Sequence, residues 1–320
     1  MLPAVDLPVG VRLLVVDGCT NCDGPPTGLY SVERASGGTY AVEKLYGLAL
    51  AKGRAQTADG QYITAFVADE TAMHLAVGVC VRGGCGPLGT VDRSAQVAVS
   101  RSDDGGRTWR QIATVEGGSA APQAVTSTDV FVATTQPDSA GAFESAVVSL
   151  ASGTKQVPPP GENRWLRAVL PDGTALWGAE HGGTLLRSDG KTYVNVRDPA
   201  VDYVYSTSRS PDGKQWFEWK TKSPENAFFG AIGPGGMPSV AIEESRSILS
   251  SGRWLDASRL VVDAGFDQAE LTLGAAPAGG WSLPAILDVV QATLTPIGGP
   301  FAAPPFAAGR NQVIAVVAKP

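Results

Sequence analysis

Between Arg167 and Val196 four short apolar stretches follow one another, each closed by turn residues. Arg167-Ala168-Val169-Leu170 runs into Pro171-Asp172-Gly173, and Ala175-Leu176-Trp177-Gly178-Ala179 follows. Thr184-Leu185-Leu186-Arg187, the turn Ser188-Asp189-Gly190-Lys191 and Tyr193-Val194-Asn195-Val196 complete the set. Stretches of this length, rich in β-branched and aromatic residues and bounded by Gly, Asp, Ser and Pro, read as strands joined by tight turns. Labelling the four a to d, the next unit runs from Tyr203 to Ile242 and repeats Pro-Asp-Gly, as Pro211-Asp212-Gly213, at the same a-to-b junction. Looser copies fall over 62–114, 123–157 and 251–286. Four strands recurring with a period of roughly 40 to 50 residues are the signature of a β-propeller blade.

The two ends fit the same scheme. Residues 11–44 supply three strands of a unit that lacks its innermost strand, and Gln312-Val313-Ile314-Ala315-Val316-Val317-Ala318 supplies an apolar strand with no outer partners. Pairing the two ends closes the ring and leaves no long open edge. Six outer c and d pairs point to an all-β, six-bladed propeller of four-stranded antiparallel blades, occupying residues 1–320 as one domain. Seven blades is the alternative, because one apolar strand is left over at the ends, and a two-sheet sandwich is a further one. Only Ser282-Leu283-Pro284-Ala285-Ile286-Leu287-Asp288-Val289-Val290 reads as a helix, with Ser at the N-cap and Pro near the first turn.

Composition removes several function classes. Of 320 residues, 31 are acidic and 25 basic, giving a formal charge of −6. A nucleic-acid binder needs a net basic face, so no nucleic-acid partner is expected. No window reaches the roughly 18 to 20 consecutive apolar residues of a helical membrane span. Thirty-nine glycines and 23 prolines spread along the chain agree with many tight turns. Met1-Leu2-Pro3-Ala4-Val5-Asp6 shows no signal peptide, although a removed leader would leave the same sequence.

One motif is sharp. Ser102-Asp103-Asp104-Gly105-Gly106-Arg107-Thr108-Trp109 follows the strand Gln96-Val97-Ala98-Val99-Ser100. Read as Ser-x-Asp-x-Gly-x-Thr-Trp, it resembles the Asp box, the bacterial neuraminidase repeat of sialidase-like β-propellers. Ser188 to Tyr193 resembles a shortened box, and Ala35 to Tyr40 a worn one without the Asp. In the resembled family the box is a structural turn on the face away from the active site. The resemblance therefore implies structural roles for Ser102, Asp104, Gly106, Thr108 and Trp109, and bears on fold more than on function.

Sialidases carry an early Phe/Tyr-Arg-Ile-Pro motif and a late Tyr nucleophile. Here the early strand is Val11-Arg12-Leu13-Leu14-Val15, and no Tyr follows Tyr205. A different glycoside hydrolase needs two facing carboxylates. The strand frame puts Glu180 and His181, Lys220 and Lys222, Asp263 and Asp267, and Arg82 in or beside b-to-c loops, on the face where propellers usually bind ligands. Glu180 and Asp263 are the candidate catalytic pair. Arg82, His181, Lys220, Lys222 and Asp267 are the candidate binding residues. Trp177, Trp216, Trp219 and Trp254 are candidates for stacking on sugars, against the alternative of blade core. With only two histidines, His74 and His181, a multi-histidine zinc hydrolase is not expected.

Cys19 and Cys22, and Cys80 and Cys85, each follow a b strand in consecutive units, so the four sulfurs are expected on one face. Two disulfides stapling loops, with connectivity open, are the first reading. A structural zinc held by Cys19, Cys22, Cys80 and Cys85 is the second. Calcium is the other metal that the Asp- and Gly-rich turns admit, although no EF-hand spacing occurs. The leading function is a secreted or cell-surface, non-catalytic module that recognises a glycan or a protein on the loop face. The alternatives are a sialidase-like glycoside hydrolase with a non-standard carboxylate site, and an assembly factor resembling the propellers that help to build photosystem II.

Overall fold

The computed structural model describes residues 4–19, 24–52, 56–85, 94–116, 119–137, 143–160, 164–179, 183–196, 201–209, 215–221, 227–232, 238–244, 252–266, 281–291, 293–302, 306 and 311–318, with backbone alone between 201 and 244. Strands β1 (Val11–Cys19), β2 (Gly24–Arg34) and β3 (Tyr40–Gly47) come first. Four consecutive strands, β4 (Tyr62–Ala68), β5 (Leu75–Arg82), β6 (Gln96–Ser102) and β7 (Arg110–Glu116), then form one antiparallel sheet. The next sheet is β8 (Ser119–Val125), β9 (Val130–Pro137), β10 (Phe143–Ser149) and β11 (Lys155–Gln156). It is followed by β12 (Arg164–Val169), β13 (Ala175–Ala179), β14 (Gly183–Leu186) and β15 (Thr192–Val196). The chain continues through β16 (Val201–Arg209), β17 (Gln215–Thr221), β18 (Ala227–Ile232) and β19 (Pro238–Glu244). The last consecutive set is β20 (Arg253–Trp254), β21 (Arg259–Phe266), β22 (Trp281–Asp288) and β23 (Thr293–Pro296). Strand β24 (Asn311–Ala318) returns to the start and pairs antiparallel with β1, from Val11 opposite Ala318 to Asp17 opposite Asn311.

This topology corrects the expectation of six, or alternatively seven, blades. Five propeller blades are built from four consecutive strands each. The remaining four strands form a composite sheet of the two chain ends, in the order β24-β1-β2-β3. β2 and β3 resemble an outer c and d pair, but they belong to this closing sheet and to no uninterrupted copy of the repeat. The leftover apolar strand that suggested a seventh blade is β24 itself. The innermost strands touch in cyclic order, β24 to β4, β8, β12, β16, β20 and back to β24, so the sheets surround a common axis.

Apolar cores lie between neighbouring sheets. Leu13, Val15 and Val32 of the closing sheet pack with Leu260, Val262, Leu283 and Leu287. On the other side of the same sheet Leu14, Val16 and Leu29 pack with Ile63, Leu75 and Val77. Strands buried on both faces read as continuous apolar runs instead of alternating ones. That explains a second correction: 282–290 is not a helix, because Ser282 to Asp288 lies in β22, paired with β21 and β23. Pro284 is tolerated there. Its carbonyl accepts from Ile297 N–H, so its nitrogen points to the same side, past the end of the β23 ladder.

A β-bulge recurs in the inner strands. Ladder registers slip around Thr64 in β4, Gln123 in β8, Arg167 in β12, Tyr205 in β16 and Ile314 in β24. One extra residue increases local twist and re-aims its neighbours, and it recurs where the sheets crowd the axis.

Candidate functional site

The a-to-b and c-to-d turns share one end of the ring, and among the described residues several of their polar side chains bond within the turns themselves. In the Ser102–Trp109 turn, Ser102 Oγ donates to Asp104 Oδ1 at 2.8 Å and accepts from Gly106 N–H at 2.9 Å. Thr108 N–H donates to Asp104 Oδ1 at 2.9 Å and its hydroxyl to Oδ2 at 2.6 Å. These donors, the Thr108 hydroxyl first, lower the Asp104 carboxyl to about 2. Gly106 has φ +93°, and a Cβ there would meet Leu45 Cδ1 at 3.0 Å. The Trp109 indole N–H reaches Gly106 O and Leu45 O, and its ring meets Tyr46 edge-on at 4.9 Å. The turn thus fastens β4–β7 to the closing sheet. On its other flank, buried Arg101 donates to Asp103 Oδ1 at 2.6 Å and to Ser127 O at 2.6 Å in the next sheet, and His74 Nδ1 lies 2.9 Å from Asp103.

The opposite end is where b strands finish and inner strands begin. Glu180, His181, Lys222, Asp267 and Cys22 lie outside the described residues, as do the side chains of Lys220 in β17 and Cys19 at the end of β1. Arg82 is exposed at the end of β5, opposite Gln96. Asp263 is not a loop residue. It sits within β21 opposite Pro284, is 1% exposed, and its Oδ2 accepts Val313 N–H of β24 at 2.9 Å. The strand frame puts it in or beside a b-to-c loop; here the carboxylate lies within the strand and binds a backbone amide of the neighbouring sheet.

Cys80 and Cys85 form a disulfide across five residues of chain, with Gly83 at φ +71° in the tight loop between them. This bond is local to one blade. In the bonded form neither sulfur is a thiolate, so a four-thiolate zinc site would require the reduced pair.

Trp177 is fully buried, with its indole N–H on Ser188 Oγ at 3.0 Å, and Trp254 is partly buried against the core, so both serve packing. Trp216 and Trp219 have side chains outside the described set. The sequence reading missed Trp165. It lies on inner strand β12, yet is 44% exposed, and its partner across the ladder is Gly178, which has no side chain to cover it. The stem of bulge residue Arg167 lies over that same glycine, with Cγ 3.0 Å from where a Cβ would stand, and Arg167 Nη2 donates to Ala179 O at 2.5 Å. The exposed part of the Trp165 indole offers a surface on which a ring could stack. In the closing sheet, Thr27 Oγ1 donates to Asp17 Oδ2 at 2.6 Å, and burial raises the Asp17 carboxyl.

No family model matches the chain, and no curated protein matches it. Among solved structures, a protein of unknown function from Bacteroides caccae superposes with a TM-score of 0.53 at 10% identity, covering 96% of this chain and 98% of that one. Puromycin hydrolase superposes with a TM-score of 0.51 at 13% identity, covering 92% of this chain but 48% of its own. At these identities the likeness extends to the fold alone.

Proposed function

We propose that the protein is a secreted, non-catalytic recognition module that binds a glycan at the end of the ring where the b strands finish. One observation carries the reading: a tryptophan on an innermost strand, where side chains normally pack between sheets, keeps nearly half its surface open. Aromatic rings are worth exposing where they meet the apolar face of a sugar. The hydrogen-bonded Ser102–Trp109 turn supports membership of the Asp-box, sialidase-like propellers, and the Cys80–Cys85 disulfide is compatible with an oxidising compartment. The test is a glycan array followed by calorimetry on the wild type and Trp165→Ala. The account expects saturable binding that falls at least about tenfold in the variant, with no sugar released. Released sugar would sink the non-catalytic assignment, and unchanged binding in the variant would sink the site.

A further inference from the structure

The segment that leads into β1 joins the sheet β20–β23 to the closing sheet by a path separate from the β1–β24 ladder. Val5 lies parallel to Ile297, just past β23: its N–H donates to Pro296 O at 2.9 Å, and its carbonyl accepts from Gly298 N–H at 2.8 Å. Asp6 Oδ2 then lies 2.8 Å from Nη2 of Arg34, at the end of β2. Leu7 N–H donates at 3.0 Å to the hydroxyl of Tyr40, at the start of β3, and that hydroxyl donates to Asp6 Oδ1 at 3.4 Å. The Leu7 side chain is fully buried in the core that also holds Val32 of the closing sheet and Leu260 and Leu287 of the last blade. The Tyr40 ring in turn packs on Gly299, at φ +118°, where a Cβ would stand 2.8 Å from it. The join to β1 is of another kind. Pro8, Val9 and Gly10 form a tight turn closed by Val11 N–H on Pro8 O at 3.1 Å, with Gly10 at φ +82° and Val9 58% exposed.

We infer that residues 4–8 are a latch, which swings on the Pro8-Val9-Gly10 turn and opens and recloses as one unit while the ring stays closed. Docked, it covers the backbone edge just past β23, an edge that would otherwise be open to pairing. The free energy of a local opening follows the buried contacts and hydrogen bonds that the segment gives up. Here that is one fully buried side chain, a single parallel bridge and an ion pair whose Asp6 is more than half exposed, against seven opposed positions in the β1–β24 ladder. The latch is therefore the weaker of the two closures and opens first. Leu7 is lodged in the core between the last blade and the closing sheet, so its withdrawal is the step that lets these two sheets part.

The test is hydrogen exchange of the full chain, resolved to single amides by NMR and repeated at several low urea concentrations. The amides of Val5, Leu7 and Gly298 should share one rate of exchange, at least about tenfold faster than the amides of the β1–β24 ladder. Their exchange should also depend less on urea, because opening the latch exposes far less surface than unfolding the ring. Leu7→Ala should speed exchange at Val5 and Gly298 by at least about thirtyfold, although the hydrogen bonds of both are to backbone. Tyr40→Phe removes the hydroxyl and keeps the ring on Gly299; it should speed the same amides by up to about tenfold, and it keeps the inference testable where Leu7→Ala fails to fold. Three amides with unrelated rates would overturn the unit. A shared rate with the urea dependence of the ladder would overturn the separate opening, and Val5 and Gly298 amides that ignore both variants would overturn the latch.

Discussion

Gly173 and Gly190 occupy turns of one blade, between β12 and β13 and between β14 and β15, and their backbones are nearly the same, with φ +83° and +80°. Their surroundings differ sharply. A Cβ on Gly173 would stand 2.0 to 2.5 Å from three ring atoms of Phe131, in β9 of the preceding sheet, whereas a Cβ on Gly190 would meet only Pro159 Cβ at 3.9 Å. Forcing an L residue into the left-handed region costs about 1 to 2 kcal/mol at either site. Gly173→Ala adds the cost of driving a methyl group into a buried ring, about 1 to 3 kcal/mol. Phe131 has little room to yield, because it is buried among Ala124, Val147, Ala175 and Trp177. Gly173→Ala should therefore destabilise by about 2 to 5 kcal/mol in total, and Gly190→Ala by about 1 to 2. Urea unfolding followed by tryptophan fluorescence reads both. In the double variant Gly173→Ala/Phe131→Leu, the loss should be less than the sum of the single losses, because the clash has gone. Equal losses for the two single alanine variants would refute the claim that this turn is wedged against the neighbouring sheet.

Asp104 gives a pH signature. Its carboxyl is held at about 2 in the fold against an ordinary 3.8, so its contribution is complete above pH about 4 and drains away as the pH falls towards 2. The stability gap between wild type and Asp104→Asn should close over that interval, and a gap that persists at the acid end would contradict the hydrogen-bond account. Replacing Cys80 and Cys85 together by Ser should cost about 2 kcal/mol, as expected for so short a closed loop, and the wild type should lose a similar amount in reductant. Trp165→Ala should cost clearly less stability than Trp177→Ala, since Trp165 is nearly half open, whereas loss of the core Trp177 should cost about 3 to 5 kcal/mol.

Turn chemistry was the legible part of this fold. Pro171-Asp172-Gly173 and Ser188-Asp189-Gly190 carry glycines at positive φ, and Asp172 and Asp189 each accept a backbone N–H two residues on. In the Ser102–Trp109 turn, the side chains of Ser102, Asp104 and Thr108 hydrogen-bond with one another and with the turn backbone. Where strands were misjudged, a specific local feature was responsible. The apolar stretch in the sequence starts at Arg167, whereas β12 starts at Arg164, because the bulge at Arg167 breaks the two-residue alternation and leaves Trp165 outside the stretch. β22 passed for a helix because a strand buried on both faces has no alternation to show. Asp263 passed for a loop residue because its partner, an amide of β24, lies 50 residues further along the chain.

The closure of the ring is open to a direct measurement. Arg12 and Val317 are opposed across β1 and β24, and neither is fully buried. A protein carrying Arg12→Cys and Val317→Cys should oxidise to a monomer with one added intramolecular crosslink. Tying the two ends of so long a loop should stabilise it by about 6 kcal/mol on the chain-entropy estimate. Two thiols that stay free under mild oxidation, or that link separate molecules, would show that β1 and β24 are not neighbours.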